Sequence, residues 1–136
     1  MKKTSPWELW TLNFQLSMSV MAEVAPRIRV LKLEIKEFFL LSQVDEFPNP
    51  AALARALMLP KPSITFMVKR VEAAGYVRRE LHATDLRRFH LTLTASGRRT
   101  MEKARRILDE AFGERLGRLS VAQRAELAKL LQQLAD

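Results

Sequence analysis

The chain has 136 residues, of which 48% are hydrophobic, and a formal net charge of +8. This length suits one domain, and no run approaches the roughly 20 continuous apolar residues of a membrane span. There is no cysteine, which excludes disulfides, thiolate nucleophiles and cysteine-based zinc sites. The first ten residues lack the apolar core of a signal peptide, so we expect a cytoplasmic protein with no membrane contact.

Residues 6 to about 30 are predicted to form one long helix with two apolar faces. One face carries Trp7, Trp10, Phe14, Met18, Met21, Ala25 and Ile28, and the other carries Leu9, Leu12, Leu16 and Val20. A helix that is apolar on two sides must be covered twice, and one small domain offers little to cover it. The pattern therefore favours a homodimer, with burial inside a monomer as the alternative.

The middle of the chain contains a predicted helix-turn-helix. Residues 34–46 are apolar on nearly all sides, which is typical of a central core helix. A short helix around Leu53 stops before Pro60, because proline cannot continue a helix. Pro62 suits the first turn of a second helix, where a missing N–H costs little. Two short helices across a tight turn describe a helix-turn-helix.

The second helix of this motif has two distinct faces when residues are placed at about 100° intervals. The side predicted to be core carries Ile64, Met67, Val68 and Val71. The other side combines short hydroxyls, one ring and two cations, namely Ser63, Thr65, Phe66, Lys69 and Arg70. It has no carboxylate, which favours an anionic partner, although a solvated surface is the alternative interpretation.

A basic β-hairpin is predicted directly after this helix. Gly75 is expected to end the helix in a left-handed cap. The segments on either side of residues 82–88 alternate apolar and polar side chains, with Val77 and Leu81 facing the apolar residues of the second strand. The tip between them is polar and carries Asp85, Arg87 and Arg88. Next to a helix-turn-helix, such a tip indicates a second DNA contact.

The excess positive charge is concentrated in the same region. Residues 48–99 hold ten of the 23 Lys and Arg residues but three of the 15 Asp and Glu residues. The remainder of the chain is nearly neutral. A localised basic surface is what neutralisation of nucleic-acid phosphates requires.

Two more helices are predicted at the C-terminal end. Thr94 can cap a helix over residues 95 to about 118, and Ser120 with Gln123 matches a capping box that starts the last helix. The last helix carries an apolar stripe made of Leu127, Leu130, Leu131 and Leu134. Apolar stripes in the helices at both ends of the chain indicate a helical dimer interface.

The central region resembles the multiple-antibiotic-resistance regulator (MarR) family. The matching residues are Leu53, Ala54, Pro62, Ser63, Ile64, Thr65, Val71, Glu72, Gly75, Arg79, Asp85, Arg87, Leu93, Thr94 and Gly97. The resemblance implies one mainly α-helical domain over residues 1–136 with a small β-hairpin wing. In it, a winged helix-turn-helix at about residues 34–94 lies between dimerisation helices at about residues 6–33 and 95–136.

The resemblance also implies how DNA is bound. The second helix of the motif lies in the major groove, Arg87 enters the minor groove, and Asp85 braces the wing with Arg79. The expected DNA contacts are Ser63, Thr65, Phe66, Lys69, Arg70, Arg87 and Arg88. A small aromatic effector is implied between the dimer helices and the winged unit, where Phe14, Met18, Met21 and Phe38 are candidates. Plain core packing is the alternative for these four.

Residues for catalysis or metal binding are not found. His82 and His90 lack a third ligand at metal spacing, and no serine or glycine pattern indicates a nucleophile or a phosphate loop. We therefore expect no enzyme, metal or cofactor. The sequence predicts a homodimeric, sequence-specific regulator of transcription, with repression as the expected outcome. The alternatives are a dimeric protein–protein adaptor, which the ring of Phe66 on the recognition face favours, or a non-specific DNA-binding protein.

Overall fold

The computed structural model describes residues 3–81, 84 and 89–135. The elements are α1 (Pro6–Arg29), α2 (Ile35–Gln43), α3 (Pro50–Leu57), α4 (Lys61–Ala73), β1 (Val77–Leu81), β2 (Phe89–Leu93), α5 (Ala95–Leu116) and α6 (Val121–Ala135). The mainly α-helical fold with one β-hairpin is thus confirmed. Among the described residues, no helix is long and apolar enough to cross a membrane.

The predicted helix ends are confirmed by their hydrogen bonds. The hydroxyl of Thr94 accepts a bond from the backbone N–H of Gly97 at 2.9 Å. Ser120 and Gln123 bond reciprocally, side chain to backbone, at 3.1 and 2.9 Å. Gly75 has a φ of +81°, the left-handed conformation that glycine adopts without steric cost. These local signals fix where α4 ends and where α5 and α6 begin.

The helix-turn-helix is formed by α3 and α4 across a three-residue connection. Met58 closes α3 in the left-handed region, with φ 54° and ψ 43°. The N–H of Leu59 then donates to the carbonyl of Ala54 at 3.0 Å. Pro60 stands at the N-cap of α4 with extended backbone geometry. The chain therefore reverses within one tight turn, as the two prolines predict.

The core is one cluster that joins the second half of α1, α2, α3, α4, the hairpin and α5. Most of the predicted core residues of α4 and of residues 34–46 are buried, namely Ile64, Met67, Val68, Val71, Phe38, Leu40, Leu41 and Val44. Ile35 and Phe39, which were also expected in the core, are partly buried against it. One charged side chain lies among them, because Glu37 of α2 is only 3% exposed. The spacing of apolar residues in the sequence of α2 did not predict a role for this carboxylate.

The apolar residues at both ends of the chain remain uncovered. The buried residues of α1 are Val20, Val24 and Ile28, all in its second half. In its first half, Trp7 is 75% exposed and Trp10 is 60% exposed. The described residues of α6 include no buried residue. Burial of α1 inside a monomer, the alternative considered above, is therefore contradicted for its first half.

The hairpin pairs β1 with β2 in antiparallel register. Val77 lies opposite Leu93, and Leu81 lies opposite Phe89, which confirms the predicted facing of the strands. Thr94 extends this register, since its N–H donates to the carbonyl of Tyr76 at 3.1 Å. The predicted tip residues Asp85, Arg87 and Arg88 lie outside the described residues.

Candidate nucleic-acid interface

The outer face of α4 presents the side chains predicted to meet DNA. Thr65, Phe66, Lys69 and Arg70 are exposed, and Ser63 is half-buried. The helix can present them because its opposite face is anchored in the core through four buried apolar residues. The structure therefore brings the five predicted recognition-helix residues onto one accessible surface. Their role as DNA contacts stays a prediction.

A shallow groove runs from this face of α4 towards the hairpin. A cavity of about 410 Å³ is lined by Lys61, Pro62, Thr65, Phe66 and Lys69. A second cavity of about 290 Å³ lies between α4 and the hairpin and is lined by Pro50, Lys61, Thr65, Val68, Lys69, Arg79 and Phe89. Three cations, Lys61, Lys69 and Arg79, thus lie along one groove, which suits a polyanionic backbone.

The hairpin is fastened to α4 by Arg79. Its Nε donates to both carboxylate oxygens of Glu72, at 3.2 and 3.0 Å. Its guanidinium also lies 4.3 Å from the ring centroid of Phe89, a favourable cation–π distance. The predicted bracing role of Arg79 thus has two partners in the structure, one on α4 and one on β2. The expected second brace, Asp85, lies outside the described residues.

Arg70 is anchored at one end by a residue that sequence reasoning missed. Its Nε donates to Oε2 of Glu37 at 2.7 Å, and its guanidinium carbon lies 6.0 Å from the ring centroid of Phe66. The Arg70 side chain is 51% exposed, whereas that of Glu37 is 3% exposed. A carboxylate directly before the apolar run at residues 38–41 was the available signal, because such a group requires a partner when buried.

The four candidates for an effector site do not share one environment. Phe38 is buried in the core, and Met21 is half-buried. Phe14 and Met18 are each 52% exposed. A cleft of about 500 Å³ lies elsewhere, between α4 and the start of α2, and is lined by Arg29, Glu34, Ile35, Lys36, Glu37, Ser63, Phe66, Met67 and Arg70. None of the four candidates lines this cleft, so their role stays a prediction.

Ion pairs away from α4 connect α5 to α1 and to the end of α2. Asp45, just after α2, hydrogen-bonds the guanidinium of Arg98 in α5 at 3.1 Å. This hydrogen bond and the carboxylate charge raise the pKa of Arg98. Glu23 of α1 accepts a hydrogen bond from Arg115 of α5 at 2.7 Å. Among the described residues, no group of three His, Asp or Glu side chains could hold a metal ion.

A helix-turn-helix followed by a two-stranded hairpin, with cations along the groove between them, defines a winged helix-turn-helix protein. The MarR family model matches residues 32–88, which run from the end of α1 into the hairpin. The chain is therefore similar to the MarR family over its central region.

Two named relatives resemble the chain in sequence. The HTH-type transcriptional repressor Rv2887 of Mycobacterium tuberculosis is 27% identical over 127 residues, which cover 92% of this chain and 91% of that protein. The transcriptional regulator HosA of Escherichia coli is 36% identical over 85 residues, or 62% of this chain and 63% of HosA. Both relatives are named as regulators of transcription.

Solved structures share the fold over nearly the full length. Rv2887 in complex with p-aminosalicylic acid has a TM-score of 0.77 at 26% identity and covers 94% of this chain and 98% of that one. The S. aureus MepR–DNA complex has a TM-score of 0.78 at 18% identity, with 98% of both chains covered. The similarity to MepR shows that the two proteins share a fold.

Proposed function

We propose that the protein is a homodimeric transcriptional repressor that binds an inverted repeat in double-stranded DNA. The observation that carries this proposal is the exposed face of α4, which presents hydroxyls and cations along a groove that continues to the hairpin. In a two-fold dimer, two such helices enter successive major grooves about 34–36 Å apart. The DNA complex of MepR, which has the same fold, supports this mode of binding.

The dimer is supported by the uncovered apolar residues at both ends of the chain. The first half of α1 exposes Trp7, Leu9, Trp10, Leu12 and Phe14 to between 52% and 75%. In α6, Leu130 and Leu131 are each about half exposed, at 47% and 49%. Exposed apolar residues in this number mark a protein interface, and a second copy of the same helices matches them in chemistry.

Four of the five recognition-helix residues have a proposed role that follows from their chemistry. Lys69 and Arg70 contact phosphates or base edges, and Thr65 contacts a phosphate or a base edge. Phe66, which is 63% exposed, packs on a thymine methyl group. The hairpin arginines Arg87 and Arg88 reach the minor groove and its backbone, as the family resemblance implies.

Selection from a pool of random duplexes tests the proposal directly. A regulator enriches one inverted repeat, and its affinity for that duplex falls steeply with salt concentration. An adaptor on the same fold enriches nothing and binds no duplex. A non-specific DNA-binding protein binds the pool without enrichment. Either of the last two results would contradict the proposed function.

The hairpin contact can be tested on the enriched duplex. We expect Arg87→Ala to weaken binding by on the order of 1–3 kcal/mol, because the arginine reads groove shape or base edges. Gel-shift titration measures this loss. Arg106→Ala removes the same charge from an exposed position on α5 and should bind nearly as wild type. Equal affinities of the two variants would remove Arg87 from the interface.

We further propose that a small aromatic acid regulates DNA binding, in keeping with the p-aminosalicylic acid complex of Rv2887. Such an effector acts by favouring a dimer whose two α4 helices are unsuitably spaced for DNA. Its binding site is predicted to involve Phe14, Met18, Met21 and Phe38.

We expect p-aminosalicylic acid to raise the melting temperature. A ligand at 100 times its Kd stabilises the folded state by about 2.7 kcal/mol. Thermal unfolding followed by circular dichroism, with acetate at matched ionic strength as the control, measures the shift. The absence of a shift with any aromatic acid in a screened panel would contradict this part of the proposal.

A further inference from the structure

The carboxylate of Glu37 is held by two different elements. Its Oε1 accepts a hydrogen bond from the backbone N–H of Glu34 at 2.8 Å, at the start of α2. Its Oε2 accepts one from Nε of Arg70 on α4 at 2.7 Å. Glu37 is the one buried charged side chain among the described residues. Both oxygens are therefore satisfied, one by its own helix and one by the recognition helix.

Helix stability explains half of this arrangement, because Glu34 and Glu37 form a capping box at the start of α2, but it does not explain the hydrogen bond from Arg70 to Oε2. Removing an ionised carboxylate from water is costly, and a buried ion pair is often no more stabilising than apolar residues of similar volume. Phe38, Leu40 and Leu41, which follow Glu37 in α2, are buried in the core, so an apolar side chain at position 37 would extend the same core. The retained charge instead fixes one particular atom of the recognition helix, the Nε of Arg70.

Anchoring through Nε leaves the other end of Arg70 available. A guanidinium has five N–H donors in one plane. In Arg70, only the Nε donor has a hydrogen-bond acceptor among the described residues. The side chain remains 51% exposed and lies beside the ring of Phe66. The plane of the guanidinium is thus set before DNA arrives, so less side-chain freedom is lost on binding.

We propose that Glu37 is a positioning residue for DNA recognition, which orients Arg70 so that its Nη groups donate to acceptor atoms of the DNA. This inference rests on the proposed function. Glu37 itself touches no DNA and acts through Arg70. The acceptors belong to a phosphate or to a base edge, and the two differ in outcome. A phosphate contact changes the salt dependence of affinity, whereas a base-edge contact changes discrimination between duplexes.

The substitution Glu37→Gln separates positioning from simple electrostatics. A carboxamide has one oxygen, so it cannot accept from both Glu34 and Arg70, and its NH2 group would face an N–H donor. Arg70 is then released from its fixed orientation. The same change makes the protein more positive by one charge, which by itself strengthens attraction to DNA. Positioning predicts weaker binding, and electrostatics alone predicts tighter binding.

The test is a double-mutant cycle on the full-length protein, with a duplex enriched by the wild type as the probe. Fluorescence anisotropy gives the affinity of Glu37→Gln, Arg70→Ala and the double variant. We expect Glu37→Gln to weaken binding by about 3- to 10-fold, the equivalent of freeing one long side chain. In the Arg70→Ala background the same change should have no further effect on affinity, because the arginine through which Glu37 acts is absent. Repeating the titrations at several salt concentrations and on mutated duplexes distinguishes a phosphate from a base edge.

Asp45→Asn is the matched control. It also converts an arginine-paired carboxylate to an amide, but its partner is Arg98 on α5, and it should bind DNA as wild type or slightly tighter. Melting curves confirm that each variant is folded at the titration temperature. If Arg70→Ala is unfolded because it leaves the Glu37 charge unpaired, Arg70→Lys replaces it in the cycle, since lysine lacks the planar guanidinium.

Three results would overturn the inference. Unchanged or tighter binding by Glu37→Gln would show that Arg70 needs no orientation. Losses that multiply in the double variant would show that Glu37 acts independently of Arg70. A wild-type protein that binds no duplex removes the proposed function and this inference together, whereas the first two results leave the proposed function intact.

Discussion

Replacing Leu130 and Leu131 together by glutamate is expected to convert the protein to a monomer and to abolish binding to the inverted repeat. Both side chains are about half exposed on α6, a helix without a buried residue among its described positions. Two carboxylates in a dimer interface would have to be buried without partners, at a cost of several kcal/mol each. Light scattering after size-exclusion chromatography measures the mass, and gel shift measures the binding.

The expected loss of affinity is large because binding of the second half-site becomes a separate event. Linked binding units commonly exceed the affinity of either unit by about 10²- to 10⁴-fold. The double variant Ala125→Glu with Gln132→Glu adds the same charge on the opposite side of α6 and should remain a DNA-binding dimer. If the leucine variant is still dimeric, α6 takes no part in the interface. Because the core lies in other elements, circular dichroism should show a folded monomer.

Gly97→Ala is expected to destabilise the protein by about 3 kcal/mol, at the upper end of the usual cost of overpacking. A Cβ at this position would overlap the carbonyl oxygen of Tyr76 and would lie 2.7 Å from its carbonyl carbon and 2.9 Å from its Cα. Backbone cannot move aside as a flexible side chain can, and the nearby bond from Thr94 to Tyr76 holds it in place. Thermal unfolding should show a melting temperature lower by about 10 °C.

Gly113→Ala on the same helix is the control with the opposite sign. Nothing lies within 4 Å of a Cβ built at this position, and alanine is favoured over glycine inside a helix by about 0.8–1.0 kcal/mol. Its melting temperature should therefore rise slightly. A fall of the same size in both variants would mean that helix α5 tolerates no added methyl group, and the close approach to Tyr76 would then not be the cause.

The sequence predicted the parts of the fold that depend on local chemistry. Gly75, Thr94 and the pair of Ser120 with Gln123 act within a few residues of themselves, so their patterns alone identify the helix ends. The two faces of α4 follow from periodicity, and the structure confirms which side is buried. Family resemblance supplied the arrangement of these elements, because spacing along the chain does not determine how distant helices pack.

The sequence could not predict contacts between distant segments. Gly97 looked like an ordinary family match, since the sequence does not show that the backbone of Tyr76 passes beside it. The partner of Glu37 lies 33 residues away, and no local pattern joins the two. Phe38 matched the stripe expected of an effector site, but periodicity cannot distinguish a buried core ring from a ring that lines a cavity.

The fastening of the hairpin to α4 has a consequence for the DNA sequences that the protein can accept. Because Arg79 bridges Glu72 on α4 and Phe89 on β2, the two reading elements of one subunit turn together as a rigid body. In the proposed complex with DNA, the distance between the major-groove and minor-groove contacts would then be constant within each half of an operator. Tolerance for insertions or deletions of base pairs would arise only at the centre of the palindrome, where the two proposed subunits would adjust to each other.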